Sequence, residues 1–145
     1  LTVLTLGIAT AGVAGGLWLF VKIVVVPFLV FSHLIGWVVY VHHIAPDIRW
    51  WPRREWNRFR GQVEGTTVLW GPRGFDHVFH SIMVHLPHHV DMRIPCYRLA
   101  DAARAIAIAF PDHVDQRRLR LGHYLRSVRE CKLYDFESGR WVAYP

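Results

Sequence analysis

Residues 24–43 read VVVPFLVFSHLIGWVVYVHH, an apolar run that ends in two adjacent histidines. Across the 145 residues, 52% are hydrophobic and 19% are charged, but the charges are unevenly distributed. Lys22 is the single Lys, Arg, Asp or Glu in residues 1–43, whereas residues 44–145 hold the other 16 Lys and Arg and all 11 Asp and Glu. This division excludes one soluble globule, and an aromatic content of 14% excludes a disordered chain.

The apolar region that leads to the two histidines is long enough for two membrane spans. One span needs about 20 apolar residues, so residues 1–41 predict a tight hairpin that reverses in the glycine-rich stretch 11–16 or near Lys22. Because the first span is short, we expect its earlier part to lie outside this sequence. Basic residues follow the second span closely, and the positive-inside rule therefore predicts that residues 44–145 are cytoplasmic. These residues are Arg49, Arg53, Arg54, Arg58 and Arg60.

The sequence thus predicts an all-α integral membrane protein, multi-pass, with a transmembrane helical hairpin at residues 1–43. A mostly helical cytoplasmic cap at residues 44–145 completes the expected single domain. Within the cap, apolar periodicity and turn residues predict four helices, one turn and an extended C-terminal segment. The helices are predicted at 55–68, 76–90, 99–110 and 112–131, the turn at 71–74 and the extended segment at 133–144.

Histidines are unusually frequent: there are ten, and five of them fall within residues 77–89. His85, His88 and His89 form an HxxHH pattern. On a helix each residue advances by about 100°, so these three imidazoles share one side and can converge on one metal ion. Pro87 interrupts regular helix geometry, and we expect the helix to kink or restart there. Imidazoles this close repel one another when protonated, which favours a bound metal over a metal-free cluster.

The pair His42–His43 ends the second apolar run at the expected cytoplasmic face. Neighbouring helical residues point about 100° apart, so only one of the two is expected to be a direct ligand. All-imidazole sites suit iron, copper, zinc or nickel, and many histidines at a membrane face favour iron that activates dioxygen. Cys96 and Cys131 are too few for a disulfide scaffold and lie away from the histidines, which argues against structural zinc. The remaining histidines are expected to be structural or interfacial: His33, His77, His113 and His123.

The order of these motifs resembles that of the membrane fatty acid desaturases. Three segments carry the resemblance: VHHIAPDI at 41–48, HSIMVHLPHH at 80–89 and RIPCYRL at 93–99. The shorter matches EWN at 55–57 and GT at 65–66 lie between the first two. The succession is most similar to the plastid, cyanobacterial and bacterial acyl-lipid omega-6 (delta-12) desaturases.

The resemblance implies a non-haem di-iron centre that uses O₂ to introduce a cis double bond into a lipid-linked acyl chain. It implies electrons from reduced ferredoxin or cytochrome b5. It also implies that His85, His88 and His89 are the third histidine box of the family and that His43 is an additional ligand. Secondary candidates are His42 and His80. The first two boxes have no counterpart in the sequence, so the resemblance is to the C-terminal half of a desaturase, and the chain alone is not expected to turn over substrate.

Two other functions remain open at this point. A hydroxylase or ketolase of the same superfamily would share the ligands and differ in the product. A non-catalytic bis-histidine haem carrier or interaction module is the other alternative. HxxHH argues against haem, because it crowds its imidazoles on one side of a helix whereas axial haem ligands approach from opposite sides. The expected partners are the acyl lipid, the membrane and the electron donor; no nucleic acid is expected.

A basic group near the C-terminus is a further candidate feature. It suits an acidic electron donor or anionic lipid headgroups, and a solvated cytoplasmic face explains it equally well. Its members are Arg117, Arg118, Arg120, Arg126 and Arg129. Phe79, Ile82 and Met83 are candidates either for the lining of an acyl tunnel or for ordinary core.

Overall fold

A computed structural model describes residues 2–145, and for Ala11, Ala14 and Asp76 it describes the backbone only. The chain divides into two compact units, one that ends at Trp37 and one that comprises Val38–Pro145. All residues of the candidate site described below lie in the second unit.

Four consecutive helical segments make up the N-terminal part: α1 at Thr2–Ala14, α2 at Gly16–Phe20, a π-helical segment at Val21–Val25 and α3 at Val26–His43. Gly16 adopts φ +66°, a left-handed conformation that glycine accepts without strain, and it follows a break at Gly15. Gly7 lies against Val24, since a Cβ at Gly7 would stand 2.7 Å from Val24 Cγ2. The reversal predicted in the glycine-rich stretch therefore falls at Gly15–Gly16, and Lys22 lies inside a helix instead.

One helical stretch among residues 2–145, Gly16–His43, is long and apolar enough to cross a membrane, with 28 residues and a mean hydropathy of 2.2. Its large apolar side chains are largely exposed, for example Phe28 at 66% and Phe31 at 63%, as expected of a helix surrounded by lipid. α1 has 13 residues, fewer than the roughly 20 that a span needs. The described residues thus contain one candidate span where the sequence predicted two.

Short elements follow in the second unit. They are a π-helical turn at Arg60–Glu64, β1 at Thr67–Trp70, α4 at Phe75–Val78, α5 at Leu86–Val90, a 3-10 turn at Cys96–Arg98, α6 at Leu99–Ala109, β2 at Asp115–Arg118, α7 at Leu121–Glu130, β3 at Leu133–Asp135 and β4 at Arg140–Val142. β1 and β2 pair in parallel, with Thr67 opposite Asp115, and β3 and β4 pair antiparallel, with Leu133 opposite Val142. The expected all-α fold is not confirmed, because the unit combines helices with two small sheets.

The sheet of β1 and β2 replaces parts of two predicted helices. In the predicted helix 55–68, helical structure ends at Glu64, and the fully buried Thr67 and Val68 continue as a strand. β-Branched side chains favour strands because their χ1 freedom is restricted in a helix. The predicted helix 112–131 is wrong in its first half for a different reason. Asp115–Arg118 pairs with β1 as strand β2, and helical structure begins only at Leu121.

The predicted helix 76–90 is broken in its middle. His80 and Ser81 adopt φ +48° and +57°, left-handed conformations that a right-handed helix cannot contain. Helical structure resumes at Leu86, and Pro87 lies in the first turn of α5, where its missing N–H has no intrahelical partner to lose. The restart expected at Pro87 is confirmed, and the single continuous helix predicted at 76–90 is wrong.

Three other elements agree with the sequence. The helix predicted at 99–110 is confirmed as α6, Leu99–Ala109. The turn predicted at 71–74 is confirmed and ends on Gly74 at φ +83°. The extended segment predicted at 133–144 is confirmed, and its two halves pair as a β-hairpin.

The core of the second unit lies directly beneath the HxxHH segment. Six buried side chains form it: Val63, Val68, Val84, Leu86, Leu99 and Ala103. Leu86 has no exposed surface and belongs to α5, which packs against α6 and the π-helical turn Arg60–Glu64. Because His85 lies between the core residues Val84 and Leu86, core packing fixes the position of its backbone.

Candidate metal centre

Three histidines from two helices meet in the second unit. His43 is the last residue of α3, His85 immediately precedes α5 and His89 lies one turn later in α5. One ring nitrogen from each lies within 4.8 Å of the others. The ring centroids of His85 and His89 are 4.5 Å apart, and those of His43 and His89 are 4.9 Å apart. The fold therefore brings His43 together with His85 and His89, which lie more than 40 residues later in the sequence.

The spacing of the nitrogens fits a shared metal ion. His43 Nε2 and His89 Nε2 are 3.1 Å apart. Two imidazole nitrogens bound to one ion at about 2.0–2.1 Å and at right angles would be about 3.0 Å apart. The observed separation is that of a hydrogen bond between the two rings, and it is close to the spacing of two neighbouring positions around one ion.

The second ring nitrogen of His43 is held by the segment that leads into β1. His43 Nδ1 lies 3.1 Å from the carbonyl oxygen of Gly65 and 3.4 Å from Thr66 Oγ1. A carbonyl can only accept, so Nδ1 carries the proton and donates it, which leaves the lone pair on Nε2. Metal-binding histidines commonly use their second nitrogen in this way. The GT pair at 65–66 belonged to the resemblance, but the sequence did not indicate that it contacts a histidine 22 residues earlier.

His42 lies beneath this group and is fully buried. Its ring stacks on that of His85, with centroids 4.8 Å apart and an interplanar angle of 16°. Both nitrogens of His42 and Nδ1 of His85 are buried without a hydrogen-bond partner. Buried polar atoms without partners are costly, so these nitrogens indicate a site that needs a further group. Of the pair His42–His43, His43 belongs to the three-residue group and His42 stacks against it. The expectation that only one of the two is a direct ligand stays a prediction.

The electrostatics of the cluster keep its imidazoles neutral. Burial, and after it the neighbouring imidazoles of His89, His43 and His88, lower the pKa of His85 from 6.5 to about 3. Burial, followed by the proximity of His43 and His88, lowers the pKa of His89 to about 4. Neutral imidazole is the form that binds a metal. The donor set, the unpartnered nitrogens and the neutral state therefore fit a metal ion that prefers nitrogen ligands, such as iron.

The other predicted site histidines are not part of the three-residue group. His88 lies on the same turn of α5, and its ring centroid is 5.6 Å from that of His85 and 6.1 Å from that of His89. His80 is exposed and lies in the left-handed break before α5. His113 Nδ1 lies 2.6 Å from Glu64 Oε1, outside the cluster. Of the secondary candidates, His42 thus lies beside the cluster and His80 does not belong to it.

A groove of about 310 Å³ borders His43. Tryptophans and glycines line much of it: Trp50, Trp51, Trp56, Gly61 and Gly65, together with Arg49. Trp50 Nε1 donates a hydrogen bond to the carbonyl oxygen of His43 at 3.1 Å, which ties this wall to the end of α3. Met83 has no exposed surface and packs in the interior, so it is not available to line an open tunnel.

The expected basic surface is smaller than the sequence predicted. Arg117 is 13% exposed and bonds both Asp47 and Asp115, with an Nη1–Oδ1 distance of 2.8 Å to Asp47. Arg126 pairs with Glu130 at 2.9 Å. Arg117 is therefore an internal connector between β2 and the loop after α3. Exposed members of the group are Arg118, Arg120, Arg126 and Arg129, and Arg126 is the one paired with Glu130.

Comparison with known proteins matches residues 1–120 to the fatty acid desaturase family. The sn-1 oleoyl-lipid 12-desaturase of Synechocystis sp. is 32% identical over 86% of this chain and 35% of that protein. The sn-1 oleoyl-lipid 12-desaturase of Anabaena variabilis is 31% identical over 86% of this chain and 36% of that protein. The chloroplastic omega-6 fatty acid desaturase of Spinacia oleracea is 27% identical over 86% of this chain and 28% of that protein. The chain thus spans roughly a third of the length of the curated relatives it matches.

Proposed function

The chain belongs to the fatty acid desaturase family, and from that premise we propose that it contributes iron ligands to a di-iron acyl-lipid desaturase of the delta-12 (omega-6) type. The observation that carries the proposal is the convergence of His43, His85 and His89 to within 4.8 Å. The names of the relatives, which are 12-desaturases and omega-6 desaturases, support the position of the double bond.

The proposed ligands divide into two groups. His43, His85 and His89 hold one ion. His88 precedes His89 in α5 and lies outside that group, and it is a ligand of the second ion. His42 packs against His85 and fixes the plane of its ring. The remaining ligands come from parts of the full-length protein outside these 145 residues, in line with the fraction of the relatives that the chain covers.

In the proposed reaction the acyl chain loses two hydrogen atoms and gains one C=C bond. O₂ accepts these hydrogens together with two electrons and two protons, and two water molecules result. The electrons come one at a time from two reduced donor molecules of the ferredoxin or cytochrome b5 type, and the protons come from solvent. The iron pair, when bound, supplies the redox chemistry that activates O₂ and the C–H bonds.

This chain's own residues prepare the site for that chemistry. Burial and mutual repulsion hold His85 and His89 neutral, so that their nitrogens bind cations without prior loss of a proton. The Gly65 carbonyl oxygen keeps the His43 proton on Nδ1. The tryptophan-lined groove beside His43 offers an apolar approach for the acyl chain and restricts water.

We also propose how the protein lies in the membrane. Helix Gly16–His43 crosses the bilayer, and the histidines at its end lie at the cytoplasmic face, where Arg49, Arg53 and Arg54 follow. Trp50 and Trp51 then lie at the depth where aromatic side chains are enriched. Multi-pass topology is part of the same proposal, and membership of the desaturase family supports it.

The test uses a full-length protein that contains these residues, purified in lipid nanodiscs. His43→Ala, His85→Ala and His89→Ala are each expected to lower iron affinity by more than the 10–100-fold that outer-shell partners cost, and to abolish double-bond formation. The matched control is His77→Ala, because His77 is exposed and outside the cluster. Iron is measured per polypeptide, and acyl products are measured by mass spectrometry.

Three outcomes would overturn the proposal. Products that gain an oxygen atom would indicate a hydroxylase. A haem absorption band without non-haem iron would indicate a haem protein. Zinc alone, or iron binding that survives all three substitutions, would remove the metal centre from this cluster.

A further inference from the structure

We propose that Thr66, together with the carbonyl group of Gly65, is a positioning element that selects the tautomer and ring orientation of His43. The inference rests on the proposed function, because it concerns how His43 presents Nε2 to iron. It adds a residue that is neither a histidine nor part of a histidine box.

The contacts that carry the proposal converge on one ring nitrogen. His43 Nδ1 faces two oxygens, the Gly65 carbonyl at 3.1 Å and Thr66 Oγ1 at 3.4 Å. Thr66 has no exposed surface, so water does not compete for this position. The Gly65 carbonyl can only accept, so it holds the proton on Nδ1 and leaves Nε2 as the unprotonated nitrogen. The Thr66 hydroxyl, which can donate or accept, then faces the same N–H as a second, longer acceptor. The unprotonated Nε2 lies 3.1 Å from His89 Nε2, inside the cluster.

The backbone at Gly65 is rigidly placed. The Gly65 N–H donates to the Arg60 carbonyl oxygen at 2.8 Å and closes the π-helical turn. A Cβ at position 65 would stand 3.1 Å from the Gly61 carbonyl oxygen and 3.2 Å from the Arg60 carbonyl oxygen. These contacts are tight, so glycine is the residue that fits this position without displacing the backbone of the turn. On the other side β1 begins at Thr67 and pairs with β2. The Gly65 carbonyl is therefore fixed by a turn on one side and a sheet on the other.

This arrangement gives the segment that leads into β1 a role at the metal centre. The HxxHH segment and the end of α3 supply nitrogens, but neither fixes which nitrogen of His43 is protonated. Without an acceptor at Nδ1 the ring can take the other tautomer, which presents an N–H to the cluster, or rotate, which replaces Nε2 with a C–H. Such outer-shell partners contribute about 10–100-fold to metal affinity.

The test compares two adjacent, equally buried threonines in the full-length protein. Thr66→Val removes the hydroxyl next to His43 with little change of shape. Thr67→Val is the matched control, because Thr67 is also fully buried but donates to the Asp115 carbonyl oxygen at 3.2 Å and not to a histidine. Fe²⁺ affinity is measured by chelator competition, and thermal unfolding of the same samples reports folding.

We expect Thr66→Val to weaken Fe²⁺ binding by about 10-fold. Thr66→Ser, which keeps an oxygen at this position, is expected to restore wild-type affinity. Thr67→Val is expected to lower the unfolding temperature and leave Fe²⁺ affinity unchanged. Equal losses of affinity in the two valine variants would overturn the inference, as would unchanged affinity in Thr66→Val.

A second readout needs neither folding of a variant nor bound iron. ¹⁵N NMR of histidine-labelled, metal-free protein reports which nitrogen of His43 is protonated, and the Nδ1–H tautomer is expected. The Nε2–H tautomer at His43 would contradict the inference. The two proposals fail separately: iron binding that survives His43→Ala overturns the proposed function, whereas dependence on His43 without dependence on Thr66 overturns only this inference.

Discussion

At the scale of single residues, the cluster is costly for the protein when no metal is bound. His42 and His85 contribute three buried nitrogens that have no hydrogen-bond partner. Each such group costs about 1–3 kcal/mol relative to a satisfied one. A metal ion that accepts lone pairs from the ligand nitrogens offsets part of this cost. Metal binding is therefore expected to stabilise the fold as well as to serve chemistry.

Acid is expected to destabilise the metal-free protein through His85 and His89. Their folded-state pKa values are lowered from 6.5 to about 3 and about 4. Between pH 6.5 and about 4 the unfolded chain binds protons that the folded chain does not. The free energy of unfolding thus falls with falling pH in this window, by at most about 1.4 kcal/mol per pH unit for each histidine.

The measurement is thermal unfolding of chelator-treated protein at several pH values from about 7 to about 4, the window that the lowered histidine pKa values define. The double variant His85→Gln, His89→Gln is the control, and its unfolding temperature is expected to vary less over the same range. A wild-type unfolding temperature that stays level across this window would contradict the assignment of neutral, buried imidazoles.

At the scale of elements, the histidines depend on a helix that cannot be stable alone. α5 has five residues, far fewer than the roughly 12–15 at which isolated helices become marginally stable. Its stability comes from Leu86 and Pro87, which are both buried. α5 packs against α6 and the π-helical turn Arg60–Glu64, and that turn leads to Gly65. One small core therefore fixes both the α5 histidines and the acceptor for His43.

Truncation of the core beneath α5 should disturb stability and metal binding together. Leu86→Ala is expected to lower the free energy of unfolding by about 2–5 kcal/mol, because Leu86 has no exposed surface. Leu121→Ala is the matched control: Leu121 is 70% exposed, and the expected change is within about 0.5 kcal/mol. Denaturant unfolding and iron content check both variants. Normal iron content in a destabilised Leu86→Ala would show that the core does not determine the cluster.

At the scale of the whole molecule, the net charge of +6 conceals a division between internal and external arginines. Arg117 forms ion pairs with Asp47 and Asp115. Burial acts to lower the pKa of Arg117, but its hydrogen bonds to these two carboxylates raise it above the ordinary value. Arg118 and Arg120 follow Arg117 in the chain, and both are exposed. If an acidic electron donor docks on this region, the external arginines and not Arg117 attract it.

Charge reversal separates these roles. Arg118→Glu with Arg120→Glu is expected to lower the apparent affinity for a reduced acidic donor about 3–10-fold at low salt, with a smaller effect at high salt. Arg53→Glu with Arg54→Glu makes the same change of charge at two other exposed positions and serves as the control. Donor-dependent turnover at several ionic strengths checks the prediction. Equal effects of the two pairs would indicate general attraction and no specific docking surface.

The sequence by itself determined the composition of the site. The apolar run to His43, the HxxHH pattern and the order of the motifs identified the family, because ligand type and spacing are properties of the chain alone. They place His43 and the histidines of α5 among the candidate ligands without reference to how the chain folds. Periodicity and turn residues also predicted α6, the turn at 71–74 and the extended C-terminal segment, since these signals act locally.

Only the tertiary structure decided how these residues meet. β1 and β2 pair across 48 residues of sequence, between Thr67 and Asp115, and this long-range pairing replaced parts of two predicted helices. Long-range packing also produced three other features of the site. They are the contact of His43 with Gly65 and Thr66, the stacking of His42 on His85 and the internal position of Arg117. Each depends on side chains that are distant in sequence and share a buried volume. Such contacts leave no periodic signal, because their free energy arises only when the chain has folded.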